Sequence, residues 1–491
     1  MSSLPFGLGL GINPGAHVHF IGIGGAGLSA IARVLMDLGY RVSGSDRVAS
    51  AITAALAGEG ATVYLGHRAE QASGADLVVV SSAVPADNVE MLAAQTSGIP
   101  VVKRADFLGE MMAGRQAVAV AGSHGKTTTT GMIATMLLVA ERDPTFIVGG
   151  EIAHLGTNAQ AGTGPFVIEA DEYDRTFLGL KPTIAVVTNI EHDHPDCYPT
   201  FDEFRAAFEA FVALLPEDGV LVVCVDDPAA RALAGMREAQ GKAVVRYGLA
   251  EDADWRAVEV RPNSAGGCDY VALAVQGSED LRQRSARAAQ GSNNQGGGLI
   301  RLRVPGVHNA VNSLAVLAVA DQLGVPFSTV AQALRTFRGM RRRFEVKGVA
   351  NGVTVVDDYA HHPTEIRATL AAARSNYPGR RIWAVWQPHT FSRTKVLLEA
   401  FAAAFNDADH VLVTPIYAAR ETDDLGVSSA DVVARMAHAD ARVVADLDEA
   451  VSALEPAVQP DDVVLTLGAG DGYVIGERLL ERLKDESGGQ M

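Results

Sequence analysis

The chain has 491 residues, too many for a single hydrophobic core, so two to four domains are expected. Its 58 acidic and 41 basic residues give a net charge of −17 with no run rich in lysine and arginine, which argues against a nucleic-acid partner. The three widely spaced cysteines indicate neither a disulfide framework nor a zinc ribbon. We find no signal-peptide pattern and no apolar run of membrane-spanning length, so we expect a soluble cytoplasmic protein without a membrane partner.

The first predicted unit is a strand, a glycine-rich turn and a helix. The turn reads Gly22-x-Gly24-x-x-Gly27, and the next strand ends about twenty residues later in Asp46. This is the dinucleotide fingerprint, in which a pyrophosphate sits at the helix N-terminus and the acid binds a ribose hydroxyl. NAD and a UDP-sugar both present these two groups, so the motif leaves both ligands open.

Another apolar strand, at 76–82, ends in the hydroxyls of Ser81 and Ser82. Strands that alternate with helices in this way predict a parallel sheet. The segment 98–113 is interpreted as a connector to the next unit.

A phosphate-binding loop is predicted next. The apolar strand 118–121 runs into residues 122–128, Gly-Ser-His-Gly-Lys-Thr-Thr, and an apolar helical pattern follows. Backbone N–H groups at the helix start would converge on an anion, Lys126 would add a positive charge, and Thr127 would offer a hydroxyl to Mg²⁺. Val120 stands where the longer pattern has its first glycine, so this is the shorter G-x-x-G-K-T-T form. The loop predicts a nucleoside triphosphate.

Two polar clusters follow predicted strands, where an open α/β sheet places its ligand site. The strand 166–170 ends in four carboxylates, of which Glu169 is the favoured Mg²⁺ ligand because Val167 and Ile168 precede it directly. Residues 188–196 contain three carboxylates and two histidines. Without a third nitrogen or sulfur ligand at familiar spacing, a Mg²⁺ site assisted by one histidine is favoured over a zinc site.

The later part of the chain is predicted to hold an insertion, two helices and a third α/β series. Residues 276–298 have almost nothing to bury and are interpreted as a mobile insertion between two β segments. Helices are predicted at 308–323 and 330–334, and strands at 353–357, 381–386, 410–415, 442–445 and 462–467. Residues 341–343, three arginines, and the polar stretches 357–363 and 387–393 could bind phosphate, ribose or carboxylate groups.

Six stretches, taken in order, resemble the Mur ligase family over nearly the whole chain: 22–29, 122–128, 189–194, 308–312, 357–365 and 387–393. The resemblance implies an α/β fold of three domains. They are a Rossmann-like UDP-sugar-binding domain at 1–113, a central P-loop ATPase domain with a mainly parallel sheet at 114–336, and a Rossmann-like C-terminal domain at 337–491. By this likeness the first glycine motif holds UDP rather than NAD.

The resemblance also implies the site residues. ATP and Mg²⁺ would be the cofactors, with Lys126, Glu169 and His192 as catalytic groups and Thr127, Glu169 and His192 as metal ligands. The residues implied to contact ATP are Gly122, Ser123, His124, Gly125, Lys126, Thr127, Thr128, Asn309, Asn312, Arg343 and Asp358. The residues implied to contact the other substrates are Gly24, Gly25, Ala26, Gly27, Asp46, Ser81, Ser82, His361, His389 and Arg393.

The implied activity is that of an ATP-dependent carboxylate–amine ligase. In the branch of the family that these motifs most resemble, L-alanine is joined to UDP-N-acetylmuramate through an acyl phosphate, during synthesis of the cell-wall peptidoglycan precursor. A monomer or weak homodimer is expected. The alternatives are a ligase that joins a preformed wall tripeptide to the same UDP-sugar, an NAD-binding oxidoreductase, and a regulatory nucleotide-binding protein without turnover.

Overall fold

A computed structural model describes residues 12–81, 83–274 and 297–488. Three β-sheets follow one another along the chain, each with helices packed on it. In the part of the chain described, no helix has the length and apolar character needed to cross a bilayer.

The first sheet has five strands, all parallel, in the order β3-β2-β1-β4-β5. The strands are β1 His17–Ile21, β2 Arg41–Asp46, β3 Thr62–Leu65, β4 Leu77–Val80 and β5 Val101–Lys103. The helices are α1 Ala26–Asp37, α2 Ala51–Gly58, α3 Val89–Thr96 and α4 Arg104–Met112, with a short 3-10 turn at Ala69–Ala72.

The prediction of a connector at 98–113 was wrong. This segment contains β5, which pairs with β4, and α4, which buries Phe107, Leu108, Met111 and Met112. A strand of three residues is too short to show the alternation by which strands are recognised in a sequence.

The second sheet has ten strands, in the order β15-β14-β13-β12-β11-β10-β6-β9-β7-β8. The seven strands from β13 to β7 run parallel, and the pairings at either end are antiparallel. The strands are β6 Ala117–Ala121, β7 Thr145–Ile152, β8 Thr157–Gln160, β9 Phe166–Glu169, β10 Ile184–Val187, β11 Val220–Cys224, β12 Val244–Gly248, β13 Trp255–Pro262, β14 Cys268–Ala274 and β15 Gly298–Arg301. The helices are α5 Lys126–Val139, α6 Phe201–Ala213, α7 Pro228–Ala239, α8 Val307–Gln322 and α9 Phe327–Thr336, with a 3-10 segment at Tyr173–Gly179.

The order of this sheet places β6 between β10 and β9. Since parallel strands carry their carboxyl ends to the same edge, the loops that follow β6, β9 and β10 lie side by side. The predicted phosphate loop and both polar clusters are in these three loops. Of the predicted insertion, residues 276–296 lie outside the described residues, and Gly298 is the first residue of β15.

The third sheet has six strands, in the order β16-β17-β21-β18-β19-β20, with only the β16–β17 pair antiparallel. The strands are β16 Glu345–Ala350, β17 Val353–Asp358, β18 Ile382–Trp386, β19 His410–Val413, β20 Ala441–Val443 and β21 Val463–Leu467. The helices are α10 Pro363–Asn376, α11 Phe391–Val396, α12 Leu398–Ala402, α13 Ser429–Val433, α14 Leu447–Leu454 and α15 Tyr473–Gly488. Residues 337–344 are the covalent connection between the second and third sheets, and Arg342 and Phe344 there have left-handed φ values of +57° and +48°.

A buried polar network joins the strands of the first sheet to α3. His19 Nε2 lies 2.6 Å from one carboxylate oxygen of Glu90, and His67 Nδ1 lies 2.7 Å from the other. The side chains of His19 and Glu90 are fully buried. Burial acts to raise the pKa of Glu90, but hydrogen bonds from His19, Ser45 and His67 outweigh it, and the pKa is lowered.

We expect Glu90→Gln to lower the free energy of unfolding by about 1 to 3 kcal/mol at pH 7, because an amide cannot accept from both histidines. A carboxyl with a lowered pKa stabilises the fold above its unfolded-state pKa, and this contribution is lost as the pH falls below about 4.5. Urea unfolding at pH 7 and pH 4 should therefore show a wild-type advantage that shrinks at the lower pH. Glu59→Gln is the control. Glu59 pairs with Arg33 and is partly exposed, so this variant should change the free energy of unfolding little. An equal effect of the two variants would contradict a role for the buried network.

Candidate active site

The phosphate loop joins β6 to α5 and depends on two glycines. Gly122 and Gly125 adopt φ values of +140° and +81°, in the left-handed region that side chains disfavour. A Cβ atom on Gly122 would overlap the Thr188 hydroxyl, and one on Gly125 would lie 2.7 Å from the Asn312 side-chain oxygen. Both positions therefore need glycine for conformation and for space.

We expect Gly122→Ala to weaken ATP binding at least about tenfold and to lower the melting temperature, because strain and overlap must be relieved by moving the loop. Isothermal calorimetry and thermal unfolding measure the two effects. Gly60→Ala is the matched control, since Gly60 also has a left-handed φ, +112°, but has no neighbour within 4 Å of an added Cβ. Loss of ATP affinity in the control as well would mean that overlap at the loop is not the cause.

Lys126 begins α5, and its side chain is 14% exposed. Its Nζ donates to the Gly122 carbonyl at 2.6 Å, to the Ser123 carbonyl at 3.2 Å and to Glu172 Oε1 at 2.8 Å. Burial opposes the charge of Lys126, but Glu172 and Glu169 outweigh it and raise its pKa. The ammonium is therefore charged at neutral pH and held at the mouth of the loop.

Two side chains whose oxygen atoms could bind a metal ion lie together beside Lys126. The Thr127 hydroxyl donates to Glu169 Oε1 at 2.9 Å, and the Gly149 N–H donates to Glu169 Oε2 at 2.6 Å. Burial raises the pKa of Glu169 despite the opposing effect of Lys126. A hydroxyl and a partly buried carboxylate, whose charged form a cation would stabilise, fit the all-oxygen coordination of Mg²⁺. The residues present therefore fit the metal ion that the phosphate loop implies.

A central cleft of about 910 Å³ brings together residues from all three sheets. Its floor is the phosphate loop together with Glu169 and Glu172. The first sheet contributes Gly22, Gly25, Ala26, Gly27 and Ser81, and the third contributes His361, His389 and Arg393. Residues predicted from widely separated motifs thus line one cavity.

Asp46, the acid of the dinucleotide fingerprint, binds the glycine turn of the same motif. Asp46 Oδ2 accepts from the Gly24 N–H at 2.9 Å, so this pair fixes the glycine turn, and neither residue lines the central cleft. Ser82 lies outside the described residues.

A side pocket of about 200 Å³ adjoins the phosphate loop. It is lined by Gly125, Thr127 and Thr128 of the loop and by Asn309, Asn312, Arg343 and Asp358. The two asparagines are one helical turn apart on α8, whereas Arg343 and Asp358 belong to the connection and to the end of β17. All four residues predicted to contact ATP from outside the loop therefore meet in one pocket.

Two neutral histidines face the central cleft from the third sheet. Burial lowers the pKa of His361 to about 3 and that of His389 to about 4. The Nδ1 of His361 lies 3.0 Å from the Tyr359 carbonyl and donates to it, which leaves Nε2 as an acceptor. His389 Nδ1 accepts from Arg393 at 3.1 Å. Arg393 also donates to Asp193 Oδ1 at 2.8 Å, and this ion pair between the second and third sheets is buried.

His192 is not brought to the central cleft. Its Nε2 donates to the Tyr198 carbonyl at 2.8 Å, and its ring packs edge-on against Phe201 and Phe204. His194 lines the cleft instead, with Nε2 3.4 Å from Glu172 Oε1. The φ of His194 is +55°, in the left-handed region that side chains disfavour.

Sequence reasoning missed several residues that line the cleft. Arg104, in the segment taken for a connector, donates to Asp171 at 2.9 Å and fills the space that a side chain on Gly27 would need. Glu172 binds Lys126, and Asp193 binds Arg393. The last two stand in the polar clusters already singled out, but their partners are distant in sequence, so no local spacing could reveal the pairs.

Family profiles match the chain in three consecutive segments. They are described as the catalytic domain of the Mur ligase family over 17–116, the Mur ligase middle domain over 120–320, and the Mur ligase glutamate ligase domain over 342–470. The chain belongs to the Mur ligase family.

This Mur ligase resembles curated relatives along nearly its whole length. It is 45% identical over 485 residues to the UDP-N-acetylmuramate–L-alanine ligase of Roseiflexus sp. (strain RS-1), covering 96% of this chain and 100% of the relative. It is also 45% identical over 473 residues to the enzyme of that name from Myxococcus xanthus, covering 96% and 95%.

Solved structures show the same fold. The UDP-N-acetylmuramate-alanine ligase of Thermotoga maritima is 28% identical with a TM-score of 0.77, covering 96% of this chain and 99% of that one. A murein peptide ligase of Psychrobacter arcticus is 26% identical with a TM-score of 0.67 and the same coverage. The predicted fold class, α/β with three domains and mainly parallel sheets, is thereby confirmed.

Proposed function

We propose that this Mur ligase joins L-alanine to UDP-N-acetylmuramate while ATP is cleaved to ADP and phosphate, in peptidoglycan precursor synthesis. The observation that carries the proposal is one cleft lined by the phosphate loop, the first glycine turn and the His361–His389–Arg393 group. The Roseiflexus relative named UDP-N-acetylmuramate–L-alanine ligase is 45% identical over its full length. A murein peptide ligase also matches the fold, at a lower TM-score, and keeps the tripeptide reaction as the second candidate.

The proposed division of labour follows the three sheets. We place domain boundaries near 113/114 and 336/337, which fall between the sheets. The first domain would hold the UDP-sugar, its diphosphate at the N-terminus of α1 beside Arg104. The second and third would enclose ATP, its base and ribose in the side pocket and its phosphates on the loop. A cytoplasmic monomer or weak homodimer, without nucleic-acid or membrane partners, completes the proposal.

In the first proposed step an oxygen of the lactyl carboxylate attacks the γ-phosphorus and ADP leaves, giving an acyl phosphate. Two anions must approach each other, so the charged ammonium of Lys126 beside the loop amides is the main source of stabilisation from this chain. Mg²⁺ held by Thr127 and Glu169 would supply further positive charge next to the phosphate oxygens.

In the second proposed step the alanine amine attacks the acyl carbon, phosphate leaves and the amine loses a proton. His361 and His389 are neutral at pH 7 because burial lowers their pKa values. The lone pair on His361 Nε2 can therefore accept a hydrogen bond from the amine, whereas an imidazolium would repel the protonated form of the substrate. Closure of the third domain over the cleft would exclude water, which would otherwise hydrolyse the acyl phosphate.

We propose for His194 the metal-site role that the family resemblance implied for His192. His194→Asn is expected to lower turnover about tenfold to a hundredfold, because His194 lines the cleft with Thr127 and Glu169. His192→Asn is the matched variant and should retain most activity, since its ring lies among phenylalanines outside the cleft. Dependence of the rate on Mg²⁺ concentration measures the effect, and the reverse ranking would restore the sequence-based assignment.

The decisive experiment measures phosphate release from ATP and Mg²⁺ with UDP-N-acetylmuramate, comparing L-alanine, the wall tripeptide and no amine. Release stimulated by L-alanine, with a product heavier by one alanyl residue in mass spectrometry, supports the proposal. Stimulation by the tripeptide alone would move the function to the second candidate. No release in any mixture from folded protein would contradict both.

A further inference from the structure

A cluster of three metal-ligating side chains lies where the second and third sheets meet. His124 belongs to the phosphate loop and Glu191 to the loop after β10, and His362 is the residue that caps the N-terminus of α10. One donor atom from each lies within 4.8 Å of the other two. His124 Nε2 is 2.8 Å from Glu191 Oε2, and His362 Nδ1 is 3.6 Å from the same oxygen. In a tetrahedral site with bonds of about 2.0 to 2.1 Å, donors are about 3.4 Å apart, so small movements suffice.

The donor chemistry differs from that of the predicted Mg²⁺ site. Two imidazoles and one carboxylate are the set that Zn²⁺ and Co²⁺ favour, with one position left for water, whereas Mg²⁺ favours oxygen alone. The Thr127–Glu169 pair is all oxygen. The two sites therefore select different ions.

A second observation concerns the other nitrogen of His124. Its Nδ1 is buried and makes no hydrogen bond within the described residues. Glu365 Oε1 lies 3.5 Å from it. A histidine that binds metal through Nε2 commonly directs its Nδ1–H to a carboxylate, which orients the ring and strengthens the ligand. Glu365 stands in that position, so closing this gap would complete a carboxylate–histidine–metal arrangement.

The cluster is accessible to an ion from solvent. The Glu191 side chain is 37% exposed, while His124 and His362 are nearly buried. Glu191 and His362 also line an open outer groove of about 660 Å³. His362 Nδ1 accepts a 3.3 Å hydrogen bond from the Thr364 N–H, which a metal bond would replace.

We propose that His124, Glu191 and His362 form a binding site for a transition-metal ion of the Zn²⁺ class, with Glu365 orienting His124. Because His124 is in the phosphate loop and His362 is on the third domain, the bound ion would fasten that domain to the loop. The site goes beyond the proposed ligase function and does not depend on it.

The test is a Co²⁺ titration of the full-length protein, followed by visible absorption with Mg²⁺ in large excess. Tetrahedral Co²⁺ absorbs far more strongly than octahedral Co²⁺, so binding at the Mg²⁺ site would add little signal. We expect intense bands in the wild-type protein that disappear on addition of Zn²⁺. His362→Asn should weaken Co²⁺ binding at least about tenfold to a hundredfold, while asparagine can still cap α10.

His438→Asn is the matched control. His438 lies in the same domain, and its Nδ1 also accepts from a backbone N–H two residues later, that of Asp440 at 3.1 Å. This variant should bind Co²⁺ like the wild type. Glu191→Gln, checked for folding by circular dichroism, gives a second removal of one ligand should His362→Asn fail to fold. Absence of tetrahedral bands in the wild type, or unchanged bands in the folded ligand variants, would overturn the proposal. Neither readout requires turnover.

Discussion

Lys126→Ala is expected to lower the rate of ATP-dependent ligation by about a thousandfold or more. The reaction brings a carboxylate to a phosphate, and Lys126 places a buried positive charge at the loop where the two would meet. Water that enters the vacated space would screen charge less well than a fixed ammonium does. Phosphate release under saturating ATP, UDP-N-acetylmuramate and L-alanine measures the effect.

The same substitution has a separate effect on stability. Glu172 is 1% exposed and pairs with Lys126 at 2.8 Å, so removal of the lysine leaves a buried carboxylate whose remaining ion-pair partner, among the residues described, is His194. We expect a lower melting temperature, because breaking a buried pair from one side costs several kcal/mol. Calorimetric binding of the UDP-sugar to the variant distinguishes lost chemistry from lost folding.

Lys181→Ala is the control for Lys126→Ala. Lys181 is 52% exposed and pairs with Glu110 at the surface, so its removal should alter neither rate nor stability by much. A Lys126 variant that keeps more than about a tenth of the wild-type rate would contradict the role assigned to the phosphate loop.

Arg393→Ala and Asp193→Ala are each expected to reduce kcat/KM for L-alanine by about a hundredfold or more. The side chains of this pair are 5% and 2% exposed and join the third domain to the second at 2.8 Å. Removing one partner leaves the other buried without its counter-charge, at a cost of about 3 to 5 kcal/mol. If that cost destabilises the closed arrangement of the second and third domains, the population of the closed cleft decreases.

A double-mutant cycle tests this explanation. The variant that lacks both side chains should lose much less than the sum of the two single losses, because neither charge is then stranded. Arg435→Ala is the control, since Arg435 pairs with Glu399 at 3.0 Å on the exposed surface of the third domain. Additive losses at 393 and 193 would show that Arg393 acts on alanine directly rather than through Asp193.

Local patterns in the sequence predicted alternating strands and helices and a parallel sheet, whereas the three-domain fold class came from the resemblance to the Mur ligase family. The phosphate loop could be recognised because its strand, glycines and lysine are adjacent in the chain. The strand at 353–357 was predicted and Val353–Asp358 is observed. The strand β5 was missed because three residues cannot show a period.

The contents of the site were less accessible to sequence reasoning. The Lys126–Glu172 pair spans 46 residues and the Asp193–Arg393 pair spans 200. The first pair is set by the order of strands in the second sheet and the second pair by the packing of the third domain against the second, and no spacing in the chain encodes either. Of the two histidines in the loop after β10, only His194 lines the cleft, and the spacing of polar residues in the chain does not show which one it is.

The connection at 337–344 has a mechanical consequence. It is the single covalent link between the second and third sheets, so a rotation of the third domain relative to the second would have its hinge there. In such a rotation, atoms close to the hinge are displaced little, and atoms far from the hinge are displaced more. Arg343 lies within the link and lines the side pocket, whereas Arg393 is carried on α11. A contact between Arg343 and a nucleotide would thus persist during a domain rotation that separates Arg393 from Asp193.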